Sequence, residues 1–77
     1  MVRLFDVNRA FGEILKERRQ NQRYTQQTFA DQSGLSRSYL SNLEVGIQDP
    51  SINTIFTLAK TLKMKPSALV YLMEEKL

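Results

Sequence analysis

Residues 25–46 read TQQTFADQSGLSRSYLSNLEVG, and this stretch decides how the chain folds. The Thr25 hydroxyl can cap a helix running to about Ser33, Gly34 supplies the positive backbone angle that ends it, and Ser36 caps the next helix at once. Phe29 and Ala30 face inward, and a residue as small as Ala30 lets two helices joined by a tight turn cross closely. Leu35 plugs that turn into the core. At about 100° per residue from Arg37, the second helix gathers Ser41, Val45, Ser38 and Asn42 in an arc of roughly 140°. Leu40 and Leu43 occupy the opposite arc, with Tyr39 at one border and Glu44 at the other. A helix that only meets solvent more often carries lysine and glutamate, whose long charged chains favour helix and solubility. Short polar groups and one arginine instead permit close approach to another surface.

Upstream, Val7, Ala10, Phe11, Ile14 and Leu15 recur at helical spacing and predict a helix from about Asp6 to Arg19, capped by Asp6 or Asn8. Its outer face carries Arg9, Glu13, Lys16, Glu17 and Arg18, with Glu13 and Glu17 placed to pair with a cation three or four residues away. Val2, Leu4 and Phe5 make the start of the chain apolar enough to pack on the last helix or across a dimer interface. Downstream, Ser51 caps a helix whose Ile52, Ile55, Phe56, Ala59 and Leu62 form a stripe read as core. A last helix spans about 66–76, with Pro66 in its first turn and Leu69, Leu72 and Met73 on its inner face. Val70 and Tyr71 lie off that face. A helix apolar on more than one side must be buried in its own domain or covered by a partner, which makes Leu69, Val70, Tyr71 and Met73 candidate dimer contacts. No strand pattern, repeat, low-complexity segment or linker interrupts residues 1–77, so the expectation is one all-α domain of five helices.

Composition narrows the function. With 77 residues, 42% of them hydrophobic, the chain is near the lower size at which a core suffices without staples. Cysteine is absent, which removes disulfides and thiolate metal sites. Histidine is absent too, and with it the commonest general base and metal ligand. The scattered Asp, Glu, Ser and Tyr residues form no paired or activated arrangement, so neither an enzyme nor a cofactor is expected. A net charge of +3 and a pI near 9.5 suit nucleic acid. No run approaches the roughly 18 apolar residues of a membrane span, and MVRLFDVNRAF lacks a signal peptide's apolar region, so a soluble, cytoplasmic protein is expected.

The pattern Thr25-Gln26, Phe29-Ala30, Gly34-Leu35-Ser36, Leu40-Ser41, Leu43-Glu44, Gly46 and Pro50 resembles the helix-turn-helix of the Cro and lambda-repressor-like, or XRE-type, regulators. The likeness extends from Leu15 and Arg19 to Leu62 and Leu69. It implies a compact five-helix domain that binds operator DNA, usually as a two-fold dimer. The run Arg37-x-Tyr39-Leu40-Ser41 also resembles controller proteins of restriction-modification systems, although phage repressors and host regulators share much of it.

In this motif the second helix of the pair enters the major groove while the first lies across the backbone. Arg37 is then the best base reader, because a guanidinium can span guanine O6 and N7. Ser38, Ser41 and Asn42 are its neighbours on the groove-facing arc, and Tyr39 either contacts DNA or packs inward with its hydroxyl exposed. Gln26 matches the family position that holds a phosphate, with Thr25 and Gln27 beside it as weaker candidates. Asn53, at the start of the helix after Ser51, and Arg18 are further phosphate candidates. The family pattern pairs Glu44 with Arg19, a structural tie. Where relatives often carry lysine or arginine, Val45, Ile47, Gln48 and Asp49 leave the following loop without positive charge, so neutralisation falls to Arg37, Arg23, Arg18 or Arg9. The leading expectation is a homodimeric regulator on a near-palindromic site in double-stranded DNA, blocking or contacting RNA polymerase. The alternative is a protein-interaction module, such as an antitoxin-like partner, docking through Val70, Tyr71 and the apolar start.

Overall fold

A computed structural model describes residues 3–77, with side chains at all of these except 4 and 5; the apolar start of Val2, Leu4 and Phe5 lies outside the described side chains. Five helices follow in order: α1 (Leu4–Asn21), α2 (Gln26–Ser33), α3 (Arg37–Val45), α4 (Ile52–Thr61) and α5 (Pro66–Glu74). No strand occurs among the described residues, so the all-α, five-helix expectation holds.

Local chemistry sets most of the boundaries. Thr25, Ser36 and Ser51 each accept a hydrogen bond from the backbone N–H three residues on, satisfying one of the donors that a helix start leaves free. Gly34 and Gly46 end α2 and α3 in the left-handed region, at φ of 70° and 83°. Two expectations fail at the first helix. α1 begins at Leu4 behind Arg3, with no side-chain cap, so neither Asp6 nor Asn8 caps it; Asp6 instead lies in the first turn, where a negative charge suits the helix dipole. The helix also runs two residues past Arg19, to Asn21, and the chain turns at Arg23 with φ 61°.

The core is one cluster in which Phe11, Leu15, Phe29, Leu40, Leu58 and Leu69 are fully or almost fully enclosed, drawing on all five helices. Ala30 at the α2–α3 junction has no exposed surface. α1 crosses α3 at Gly12, where an added Cβ would stand 2.4 Å from the Glu44 carbonyl oxygen and 2.5 Å from that of Leu43. Only glycine permits that approach.

α4 departs from its expected packing. Leu58, Ala59 and Leu62 are buried, but Ile52 is 70% and Phe56 59% exposed, so those two are not core. They lie beyond one edge of the buried arc, a position that α5 leaves uncovered. On α5, Leu69 is completely buried within the chain, which corrects its assignment as a dimer contact; Met73 is half-buried against the same cluster, and Val70 and Tyr71 are exposed. The helix ends at Glu74 rather than 76. Glu13 and Glu17 pair with Lys76, at 3.4 and 3.1 Å, rather than with a neighbour on α1. The Lys76 ammonium donates to the Glu17 carboxylate, foremost, and to that of Glu13, which raises its pKa above the ordinary lysine value.

Candidate nucleic-acid interface

α3 is held from behind and open in front. Leu40 and Leu43 have no exposed surface, while Arg37 and Ser38 are exposed and Ser41 and Asn42 half-buried. Asn42 Nδ2 lies 3.4 Å from Gln48 Oε1, a long contact to the following loop. Tyr39 is half-buried, packed against the core, and its hydroxyl is 3.3 Å from the Thr54 hydroxyl, so its ring spends most of its surface inside the protein. Val45, the last residue of α3, and Ile47, in the loop that follows, are 63% and 72% exposed, so two apolar side chains face outward beside a loop that has no positive charge.

Glu44 closes the inner border of α3. Its two carboxylate oxygens accept from Arg19 Nε at 2.6 Å and Nη2 at 3.0 Å, a bidentate fork with both side chains buried. The third guanidinium nitrogen, Nη1, donates to the Tyr24 carbonyl at 2.8 Å, which ties the α1–α2 link to the same point. Gln26 Nε2 donates to Glu44 Oε1 at 3.0 Å, so one amide hydrogen is turned inward and one remains. No buried side-chain nitrogen or oxygen among the described residues is left without a partner. α1, α2 and α3 thus meet on one carboxylate, and that junction fixes where the outer face of α3 points.

The remaining residues singled out from sequence are spread around this junction. Thr25 spends its hydroxyl on capping α2 and on Thr28, and Gln27 Nε2 donates to Asp31 at 2.9 Å along the helix. Asn53 is exposed in the first turn of α4, and Arg18 is half-buried in the last turn of α1. Gly12 was not legible as part of the site, although a glycine inside an otherwise good helix pattern is the signal that could have found it. Asn8 also enters, donating to Asp49 and tethering the loop after α3 to α1.

A family model described as "Helix-turn-helix" matches residues 15–69, most of the chain. The chain belongs to the XRE-type helix-turn-helix family. Members are DNA-binding transcriptional regulators, not enzymes, and DNA is the partner that membership implies. An immunity repressor of Bacillus phage phi105 is 36% identical over 59 residues, which cover 77% of this chain and 41% of the repressor. This helix-turn-helix protein therefore spans about two-fifths of that relative's length. Among solved structures, the restriction-modification controller protein C.AhdI from Aeromonas hydrophila is 37% identical, with a TM-score of 0.78 over 80% of this chain and 94% of its own. SinR, a master regulator for biofilm formation solved in complex with DNA, is 28% identical, with a TM-score of 0.74 over 78% of this chain and 97% of its own. No described helix is long and apolar enough to cross a membrane.

Proposed function

We propose that this regulator recognises a near-palindromic DNA operator as a homodimer, each subunit laying α3 in the major groove of one half-site. The observation that carries this reading is the outer face of α3: an exposed arginine among short polar side chains, on a helix anchored through Leu40, Leu43 and the Glu44–Arg19 fork. Arg37 is the principal base reader, since a bidentate contact to guanine contributes about 1–3 kcal/mol of discrimination. Ser38, Ser41 and Asn42 read or exclude the neighbouring bases, and Tyr39 reaches DNA only at its hydroxyl edge. Gln26 donates its second amide hydrogen to a phosphate while Glu44 holds the first. Thr25, Gln27 and Asn53 lie at helix starts whose free N–H groups attract phosphate, and Arg18 adds charge. Glu44 faces no phosphate unneutralised, because Arg19 accompanies it. Occupancy then either blocks RNA polymerase or offers it a contact.

Selection of bound DNA from a random library tests the whole reading. It should yield a two-fold symmetric motif with half-sites about 34 Å apart, one turn of duplex. Failure to enrich any motif would remove sequence recognition from the account, and an asymmetric single half-site would remove the dimer.

A further inference from the structure

Two turns of this chain hold a cation in a strained backbone. Arg23, between α1 and α2, and Lys63, between α4 and α5, both lie in the left-handed region, at φ of 61° and 60°. A Cβ crowds the following carbonyl oxygen there, so glycine is the residue that takes this conformation freely. A cation kept at such a position, twice, points to a use for the charge. The two turns are neighbours, because Gln22 Nε2 donates to the Leu62 carbonyl at 2.8 Å. Beside them a cleft of about 470 Å³ opens between α2 and α4, lined by Tyr24, Gln32, Thr57, Lys60, Thr61 and Lys63. We propose that this cleft is a docking site for an extended acidic segment of a second protein, whose carboxylates are held by Gln32, Lys60 and Lys63.

The hydrogen bonds of the lining decide what fits. The Tyr24 hydroxyl donates to Gln32 Oε1 at 3.0 Å, Thr57 Oγ1 to the Asn53 carbonyl at 2.9 Å and Thr61 Oγ1 to the Thr57 carbonyl at 3.2 Å. Each hydroxyl hydrogen of the lining is therefore engaged inside the protein. The donors left over are the Gln32 amide and the ammonium groups of Lys60 and Lys63. No carboxylate lines the cleft, and no ion pair among the described residues engages either lysine. The complement of such a lining is an acceptor that carries negative charge. Shape then favours a peptide over DNA, since a cleft between two adjacent helices admits the side chains of an extended segment but not a duplex. None of Arg37, Ser38, Ser41 and Asn42 on α3, and none of Thr25, Gln26 and Gln27 at the start of α2, lines it. The cleft is thus separate from the proposed DNA-facing residues, and a partner can be held there while α3 reads its site.

NMR titration of the isotope-labelled full chain, without DNA and at low salt, with a short synthetic peptide of alternating glutamate and alanine tests the proposal. Saturable amide shifts should appear at Tyr24, Gln32, Lys60 and Lys63, and the matching peptide of glutamine and alanine should produce none. Combining Lys60→Glu with Lys63→Glu should raise the peptide dissociation constant about tenfold or more. Both side chains are exposed, so this double variant should keep wild-type circular dichroism. Lys63→Gly should weaken the peptide as well while raising the melting temperature by a few degrees, because it removes the strain together with the charge. Peptide affinity unchanged in the double variant or in Lys63→Gly, or shifts that fall on Arg37 to Asn42 instead, would overturn the proposal. So would a DNA duplex of arbitrary sequence that shifts the cleft amides where the peptide does not, which would assign the lysines to phosphate. The peptide titration needs no operator, so its failure leaves the reading of DNA by α3 standing.

Discussion

Replacing Glu44 with alanine would leave the Arg19 guanidinium buried without either of its carboxylate bonds, and would release Gln26 as well. Breaking one side of a buried pair costs about 3–5 kcal/mol, much of it from the charge left unpaired. Against a typical stability of about 5–15 kcal/mol that is a large share. Glu44→Ala should therefore lower the melting temperature steeply and weaken DNA binding together, as followed by thermal melting and by titration with DNA. Unchanged melting with lost binding would contradict a structural role. At this scale the sequence was partly legible. Helical spacing places Glu44 at the border of its helix, but nothing in the periodicity joins it to a residue 25 positions earlier; that pairing came from the family resemblance. The inward turn of the Gln26 amide was legible from neither, because it depends on three helices meeting.

Helix ends were legible wherever a local signal marks them. Thr25, Ser36 and Ser51 act through their hydroxyls and Gly34 through its backbone, each within three or four residues of itself, so their roles survive without tertiary information. The turns at Arg23 and Lys63, with φ of 61° and 60°, carry no such signal, because neither residue is a usual left-handed one. The packing of α4 was misread for a different reason: Ile52 and Phe56 share an arc with Ala59, as do Ile55 and Leu62, and period alone does not say how wide the buried arc is. The helix crossing at Gly12 makes the element-scale prediction. A methyl group there meets two backbone carbonyl oxygens on α3, which cannot rotate away as a side chain can. Gly12→Ala should destabilise by about 1–3 kcal/mol from overpacking, despite a helix-propensity gain of up to about 1 kcal/mol. Chemical denaturation would read the loss; a stability equal to or above wild type would show that α1 and α3 can separate at no cost.

In the whole molecule, α1 and α2 position α3 through one carboxylate, while α4 and α5 complete the core and keep an apolar outer side. The five-helix architecture followed from the chain's own periodicity and caps, since each helix declares itself locally. The tie from Glu13 and Glu17 to Lys76 did not, because its partner lies at the other end of the chain. Nor did the exposed face of α4, which only the path of α5 defines. The division of labour predicts that reading DNA and holding the fold are separable, because Arg37 is exposed and Asn42 makes only a long contact to Gln48. The most direct test is selection of genomic or random fragments by the Arg37→Ala, Asn42→Ala double variant beside the wild type. The account predicts a folded protein that still binds DNA weakly but no longer enriches the wild-type site; undiminished selection of that site by the double variant would contradict it.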